Sequence, residues 1–427
     1  VGKRSDIVVP MSRTRPASGG TVRRRPKDRK EQIARASAEA FSALGYHGVS
    51  MEGIASRVGI SAAALYRHYA SKYDLFRGAV LNLGQQLVDC TAFVEDTEFD
   101  DPRDELRRLV AALVDTSMAN RESGGLYRWE ARYLRGDDQA SLIAQMHTVN
   151  QRLQRPLRAL RPELSSRQRW TLSISVLSVI GSIVDHRAKL PAVQVRSLLA
   201  DLAETLMAAE LPAIDETIDA AEPQQAAAAP APAETSKYEA LLNESMRLFN
   251  LKGFRDTSME EIAAAVGMPA SGIYRYFAGK SDILAAAFRR AADRLSEEMT
   301  AITSAHTDAE DALTALIDAY VARSFAQPEL DYVYYTERLN MSPTDQKILR
   351  NMQRSIVEAW VELVVAVRPE WSPAQARFVV HAAMSLVIDL GRLTDYRNTP
   401  QNHEILRRLL DVTLLGRYRL RAPLTAR

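Results

Sequence analysis

Residues 41–76 recur without a gap at residues 249–284, at an offset of 208 and with 15 of 36 positions identical. No other feature of the chain constrains its fold as strongly. A period near 200 residues is too long for a solenoid and requires two fused copies of one domain-sized unit. The similarity continues past the repeat. Glu130 and Glu337 fall in comparable aromatic stretches, LYRWEARYL and DYVYYTERL, and Arg161-Pro162-Glu163-Leu164 matches Arg368-Pro369-Glu370-Trp371. Both pairs lie 207 apart, so a single residue separates the two registers. The 427 residues therefore divide into two units of roughly 200, each large enough for two domains.

Apolar content of 46% and charged content of 25% are those of a globular protein. The net charge of +2 conceals an asymmetry: residues 1–30 hold ten Lys or Arg against two Asp, which leaves the remaining body mildly acidic. The one cysteine, Cys90, excludes an internal disulfide and fits a reducing, cytoplasmic compartment. The Arg-rich start has no secretory apolar core, and the longest apolar stretch, residues 171–184, is too short and too rich in serine to span a bilayer. No membrane partner is expected. There is no HExxH, Cys/His cluster or nucleophile elbow, and Asp137-Asp138 has no matching second acidic motif. Neither an enzyme, a metal site nor a cofactor is expected.

The fold class expected is all-α. Ile33, Ala36, Ala40, Phe41 and Leu44 share one helical face, and Gly45 ends that helix. Ser50 is placed to cap a helix over 51–58, Gly59 to turn the chain, Ser61 to cap 62–69 and Ser71, with Asp74, to cap a fourth helix. The second copy repeats these signals with a Ser258/Glu261 capping box, Gly267 in the turn, Pro269 opening the next helix, and Lys280 and Asp282 starting the one after. Two helices joined by a short Gly-containing turn make a helix-turn-helix. Amphipathic patterns follow at 77–92, 102–119, 124–134, 139–160, 166–188 and 194–210, and again at 284–303, 308–326, 329–340, 344–367, 373–395 and 402–417. The expected organisation is a basic arm (1–26) that is disordered when free, a DNA-binding domain (27–76), a helical domain (77–210), a Pro/Ala/Gln-rich linker (211–235), a second DNA-binding domain (236–284) and a second helical domain (285–421).

The first head contains Phe41, Gly45-Tyr46, Ser50-Met51-Glu52, Ile54-Ala55, Val58-Gly59, Leu65-Tyr66-Arg67-His68-Tyr69, Lys72 and Leu75. The second contains Phe249, Gly253-Phe254, Ser258-Met259-Glu260, Ile262-Ala263, Val266-Gly267, Ile273-Tyr274-Arg275-Tyr276-Phe277 and Lys280. Both blocks resemble the DNA-binding domain of the TetR family of bacterial transcription regulators. The chain is also similar to double-length members that govern a mycobacterial mammalian-cell-entry (lipid-import) operon, in RRRPKDRK at 23–30, LYRHY at 65–69 and EARYL with Asp137-Asp138 at 130–138.

The resemblance implies that Ser50, Tyr66, Lys72, Ser258, Tyr274 and Lys280 clamp DNA phosphates; simple capping is the alternative for the serines and core packing for the tyrosines. Free N–H groups at a helix start favour an anion there. The residues expected to face the bases are Ala62, Ala63, Ala64 and His68 in one head and Ala270, Ser271, Gly272 and Tyr276 in the other, with Arg67 and Arg275 beside them. Short apolar side chains make few bidentate bonds, so specificity must lean on DNA shape and on an arm carrying Arg23, Arg24, Arg25 and Lys27. The family binds small molecules in its helical domains. Here Tyr127, Trp129, Tyr133 and Met146, and Tyr332, Tyr334, Tyr335, Met341 and Met352, could line such pockets, or be plain core. Segments 170–188 and 377–394 look like dimerisation helices. The implied protein is a repressor with two unlike heads in one chain, an intramolecular pseudo-dimer whose partners are an asymmetric double-stranded DNA operator and a small hydrophobic, lipid-like effector, with higher oligomers left open. The rival reading is a scaffold whose second head is degenerate and binds protein.

Overall fold

The computed structural model describes residues 26–212 and 237–416. Arg23, Arg24 and Arg25, and nearly all of the linker, lie outside the described residues. Every regular element among the described residues is helical. The first unit runs α1 (Pro26–Gly48), α2 (Met51–Arg57), α3 (Ala62–Tyr66), α4 (Lys72–Thr91), α5 (Phe93–Asp96), α6 (Pro102–Ala119), a π turn (Leu126–Glu130) with a 3-10 turn (Ala131–Tyr133), α7 (Gly136–Leu160), α8 (Ser166–Gly181) and α9 (Ala192–Met207). The second runs α10 (Lys237–Lys252), α11 (Met259–Ala265), α12 (Ala270–Ile273), α13 (Lys280–Ala305), α14 (Ala309–Ala326), α15 (Pro328–Glu337), α16 (Pro343–Val367), α17 (Pro373–Leu393) and α18 (Pro400–Leu415).

Three departures from the sequence reading have local causes. The fourth head helix and the pattern at 77–92 are one helix, α4, because nothing between them breaks it. The 124–134 segment is not α-helical. Gly124 and Gly125 lower helix propensity there, and the chain opens into a π turn. Its counterpart α15, started by Pro328 in the first turn, stays regular. Finally α3 stops well short of residue 69, where the chain tightens into an i→i−3 bond from His68 N–H to Leu65 O (2.9 Å), and α12 ends in the same way with Tyr276 N–H to Ile273 O (2.9 Å).

The packing separates into three apolar clusters. Each head has its own, around Phe41, Ile54, Leu65 and Phe76 in the first and Phe249, Ile262, Ile273 and Leu284 in the second. The third runs unbroken through both helical domains, from Leu109, Leu153 and Val176 to Leu316, Val379 and Leu409. Leu211, assigned to the linker from sequence, is buried in it. At its centre α8 packs against α17. The facing surfaces are small, with Ser173, Ser175, Ser178 and Gly181 on one side and Ala376, Ala382, Ala383 and Ser385 on the other. Ser175 Oγ donates to Thr171 O (2.8 Å) and Ser182 Oγ to Val179 O (2.7 Å), which leaves an effectively apolar, closely approaching surface.

A buried ion network crosses this interface. Arg128 lies 3.3 Å from Asp185 of its own unit and 3.0 Å from Asp389 of the other, and donates to Ser385 Oγ (2.8 Å). Its side chain is 9% exposed and that of Asp185 5%. Gly181 makes room for it, because a Cβ there would come within 2.1 Å of Arg128 Nη1. Removing one member of a buried ion network strands the others in low dielectric. Arg128→Met, which leaves Asp185 and Asp389 facing each other unneutralised, is expected to cost about 3–5 kcal/mol in urea unfolding; a loss under about 1 kcal/mol would mean that the network contributes little to the pseudo-dimer.

Candidate nucleic-acid interface

Each head presents the same construction. Ser50, in extended backbone, accepts from Gly53 N–H (3.0 Å) and starts α2. Gly59 then reverses the chain at φ +66, where a side chain would be strained although space is open. Ser61 caps α3 through Ala64 N–H (3.1 Å), and Leu65, fully buried, pins its inner face. Ser258, Gly267 (φ +67) and Ile273 do the same in the second head, where Ser258 and Glu261 complete the capping box. Pro269 occupies the N-cap of α12 rather than its first turn and offers no capping side chain.

With the inner face pinned, the outer face projects into solvent. Tyr66 is 49% exposed and Tyr274 53%, and Arg67, His68, Arg275 and Tyr276 are exposed beside them. Ala63, Ala270 and Ser271 share that surface, and Ala62 and Ala64 are half-buried on it. Gly272 is not on it. It is buried against Met268, whose Cε would meet a Cβ at 3.1 Å, so it serves packing and cannot face a base. Tyr69 is half-buried and Phe277 buried, as core aromatics.

The two lysines expected to clamp phosphate are engaged within the protein. Lys72 Nζ donates to Val49 O (2.9 Å) and lies over the Tyr46 ring. Lys280 Nζ donates to the carbonyls of Phe254, Arg255 and Thr257 and lies over Phe254. An ammonium has three protons, so Lys280 has none to spare while Lys72 keeps two. Burial holds both below the ordinary lysine pKa, and for Lys72 the nearby Arg255 of the other head adds to this. Both lysines therefore brace the turn between the first two head helices. Arg29 helps in the first head, donating to Val58 O at the end of α2 (3.0 Å). Lys27 lies in α1, with a side chain outside the described residues.

The heads are tied to the helical domains by the repeated glutamates. Glu130 Oε2 accepts from Tyr46 N–H (2.9 Å) and Glu337 Oε1 from Phe254 N–H (3.2 Å), at matched positions. Glu337, 2% exposed, also pairs with Arg132 of the first unit and accepts from Asn340 Nδ2 (2.7 Å). Tyr133 stacks on Tyr46 at 5.2 Å, so it serves this joint and no pocket.

This arrangement of capped, surface-projecting helix pairs is matched by known proteins. The sequence profile described as "Bacterial regulatory proteins, tetR family" matches residues 33–79 and 241–287, one match in each head. Both heads match the tetR family. The chain is 36% identical over 103 residues to the HTH-type transcriptional activator FasR of Mycolicibacterium smegmatis, covering 24% of this chain and 47% of that protein. It is 28% identical over 92 residues to the HTH-type transcriptional regulator BetI of Stenotrophomonas maltophilia, covering 22% and 47%. The matched stretches thus span about half the length of these relatives. The crystal structure of the TetR family regulator PfmR from Thermus thermophilus aligns with 40% of this chain and 96% of its own, at 24% identity and a TM-score of 0.36. The double-length organisation corresponds to the two profile matches, and the family is one of regulators rather than enzymes.

Three cavities stand out among the described residues. One of about 180 Å³ lies in the second unit between α10 and the helical domain, lined by Tyr320, Tyr334, Tyr335, Trp360, Met384 and neighbours. A second, about 620 Å³, lies between the units and includes Trp129, Tyr334, Tyr335 and Met341. A third, about 230 Å³, faces α8 and the end of α17. Tyr127, Met146 and Met352 pack against the shared core instead, and Tyr332 lies under Arg392. None of these four lines any of the three cavities, because helical periodicity marks inward residues without showing where the packing leaves a gap. Tyr320, Trp360 and Met384 escaped the sequence reading for the same reason.

Two outcomes follow. Lys280→Ala removes donors from three carbonyls and is expected to destabilise the second head by about 1–3 kcal/mol, more than Lys72→Ala does the first; hydrogen exchange in α11 and α2 measures each. Glu261 is held down to about 2, first by Lys252 and then by Ser258 N–H. A depressed folded pKa confers stability that is full above the ordinary carboxylate range and is lost as pH falls toward about 2. Glu261→Gln should flatten acid unfolding of the second head in that window. The first head, with Gly53 at the matched position, should show no such component.

Proposed function

We propose that this chain is a sequence-specific DNA-binding repressor that occupies one operator as a single molecule. The supporting observation is that two exposed recognition surfaces, Tyr66-Arg67-His68 and Tyr274-Arg275-Tyr276, are carried on helical domains that share one core. An ordinary symmetric dimer of such units reads a palindrome. Here the surfaces differ, so the half-sites differ. Tyr66, Tyr274, Ser50 and Ser258 contact the backbone, and Lys72, with donors to spare, contributes charge where Lys280 does not. Arg23, Arg24, Arg25 and Lys27 adjoin the first head alone and reach a minor groove at one end of the operator. A small hydrophobic effector enters the apolar cavity beside α10, where it wedges the second head from its helical domain.

Multi-angle light scattering on a short operator should give one chain per duplex, and in vitro selection should yield two unlike half-sites roughly one helical turn apart. Two chains on a minimal site, or a perfect palindrome, would overturn the reading. Buried Gly272 and fully engaged Lys280 favour a second possibility, that the second head binds protein. Tyr274→Ala with Arg275→Ala should then leave operator affinity unchanged, while Tyr66→Ala with Arg67→Ala abolishes it. FasR is named an activator, so a reporter assay, with repression expected, decides the sign of regulation.

A further inference from the structure

The large cleft between the units has more arginines than carboxylates in its lining. It is walled by residues 184–188 of the first unit and by α16, α17 and the turn at 338–341 of the second, and it reaches Ser42 and Ala43 on α1. Its acidic groups are accounted for. Asp185 is held by Arg128, Glu358 by Arg377, and Glu130 accepts from Tyr46. Of its arginines, Arg187 pairs with Glu122 and Arg338 lies over Tyr334 and Tyr335. Arg350 and Arg354 form no direct ion pair among the described residues, Arg354 acting on Glu358 only at longer range, and both line the cleft one turn apart on α16. Like charges at that spacing repel and weaken a helix unless an anion lies between them.

A pair of exposed arginines is ordinarily a solvated surface, so a second observation is needed, and His186 supplies it. This side chain is 5% exposed, lines the cleft, and stacks on His381 with ring centroids 4.2 Å apart. Its Nδ1 accepts from Ala188 N–H (3.1 Å) and faces Arg121 Nη2 at 3.3 Å, which places the ring proton on Nε2. Among the described residues Nε2 has no partner, and it lies beneath the cleft wall out of reach of solvent, so an acceptor reaches it only when that wall opens on binding. A buried donor without an acceptor costs free energy that a bound acceptor would return. The molecule also contains its own control. At the pseudo-symmetric positions, 207 earlier for the second-unit residues and 207 later for His186, stand Ile143, His147 and Leu393 in place of Arg350, Arg354 and His186. Leu393 lines the smaller cavity of about 230 Å³ there. That cavity carries arginines of its own, Arg167 and Arg397, so the two sides differ in where the charge stands and in the histidine, not in the presence of arginine.

We propose that this cleft binds one small organic anion per chain, a carboxylate or phosphate monoester with an apolar tail. Arg350 and Arg354 take the charged group, His186 donates to it through Nε2, and Val184, Met341, Leu349 and Val357 receive the tail. The ligand would rest against α1 of the first head and the second unit at once, so its occupancy sets the distance between them. The site adjoins the apolar cavity beside α10, with Tyr334, Tyr335, Leu349 and Gln353 forming the wall between them, but it excludes Ala291 and does not depend on that cavity taking an effector.

The test is isothermal titration of the full chain with decanoate, decyl phosphate and uncharged decanol. Decanoate or decyl phosphate should bind at one equivalent, more weakly as salt rises, and whichever is tighter identifies the headgroup. Decanol should bind at least tenfold more weakly than the tighter anion. Arg350→Ala with Arg354→Ala should weaken the anion at least tenfold with an unchanged melting temperature, and Arg350→Lys with Arg354→Lys should restore most of it. His186→Asn, which keeps an acceptor near Ala188 N–H and removes the Nε2 donor, should weaken it several-fold. Ala291→Phe, which fills the cavity beside α10, should leave anion binding intact. Decanol binding as tightly as decanoate and decyl phosphate, undiminished anion binding in the double alanine variant, or loss of binding in Ala291→Phe alone would each overturn the proposal.

Discussion

The guanidinium of Arg128 sits between a carboxylate of its own unit and one of the other, almost removed from water, and the pairing of the two units depends on it. The apolar core that surrounds it has no directional preference, since small faces of Ser, Ala and Gly would pack in several combinations. A buried charge does discriminate. Asp389 and Ser385 correspond to Ser182 and Ser178 in the first copy, and Arg128 itself to Tyr335 in the second. Two first units facing each other would offer Arg128 no carboxylate beyond its own Asp185. Two second units would bury Asp389 with no arginine at the matched position. Only the pairing within one chain satisfies both sides, and the cost of an unpaired buried charge disfavours the others.

From that fixed interface the heads inherit their positions. Glu130 and Glu337 take a backbone N–H at the end of the first helix of their respective heads, and Arg132 joins Glu337 across the units. Burial raises the Glu130 carboxyl, with the Tyr46 N–H and Arg132 pulling the other way. These are short, directional contacts on a rigid base. A shift of α15 or of the π turn would therefore be passed to the helix-turn-helix attached to it, which is the route that the proposed ligands would use.

Fusion also releases each copy from serving both sides of a two-fold axis. In a symmetric dimer every substitution appears twice, so a cationic cleft on one side would be a cationic cleft on the other. Here Arg350, Arg354 and His186 face Ile143, His147 and Leu393 across the pseudo-axis. The recognition surfaces diverge likewise, with His68 against Tyr276 and Ala63 against Ser271.

The helices, their caps and the duplication were legible in the chain alone, because each rests on local chemistry. Ser50, Ser61 and Ser258 cap where they stand, Gly59 and Gly267 turn where a positive φ is needed, and apolar spacing marks the buried face of every long helix. The exposure of Tyr66 and Tyr274 could be anticipated from the same pattern. What each polar group does once the helices meet was decided by tertiary structure. Lys72 and Lys280 carry the charge a phosphate clamp needs, but the carbonyls that engage them lie 23–26 residues earlier in the chain. Gly272 reads as a surface residue until Met268 closes over it, and Arg128, Arg132 and His186 acquire their roles from groups up to 261 residues away. The positions where two otherwise matched copies differ were the one sequence signal for these sites, but a difference carries no geometry until the copies are packed together.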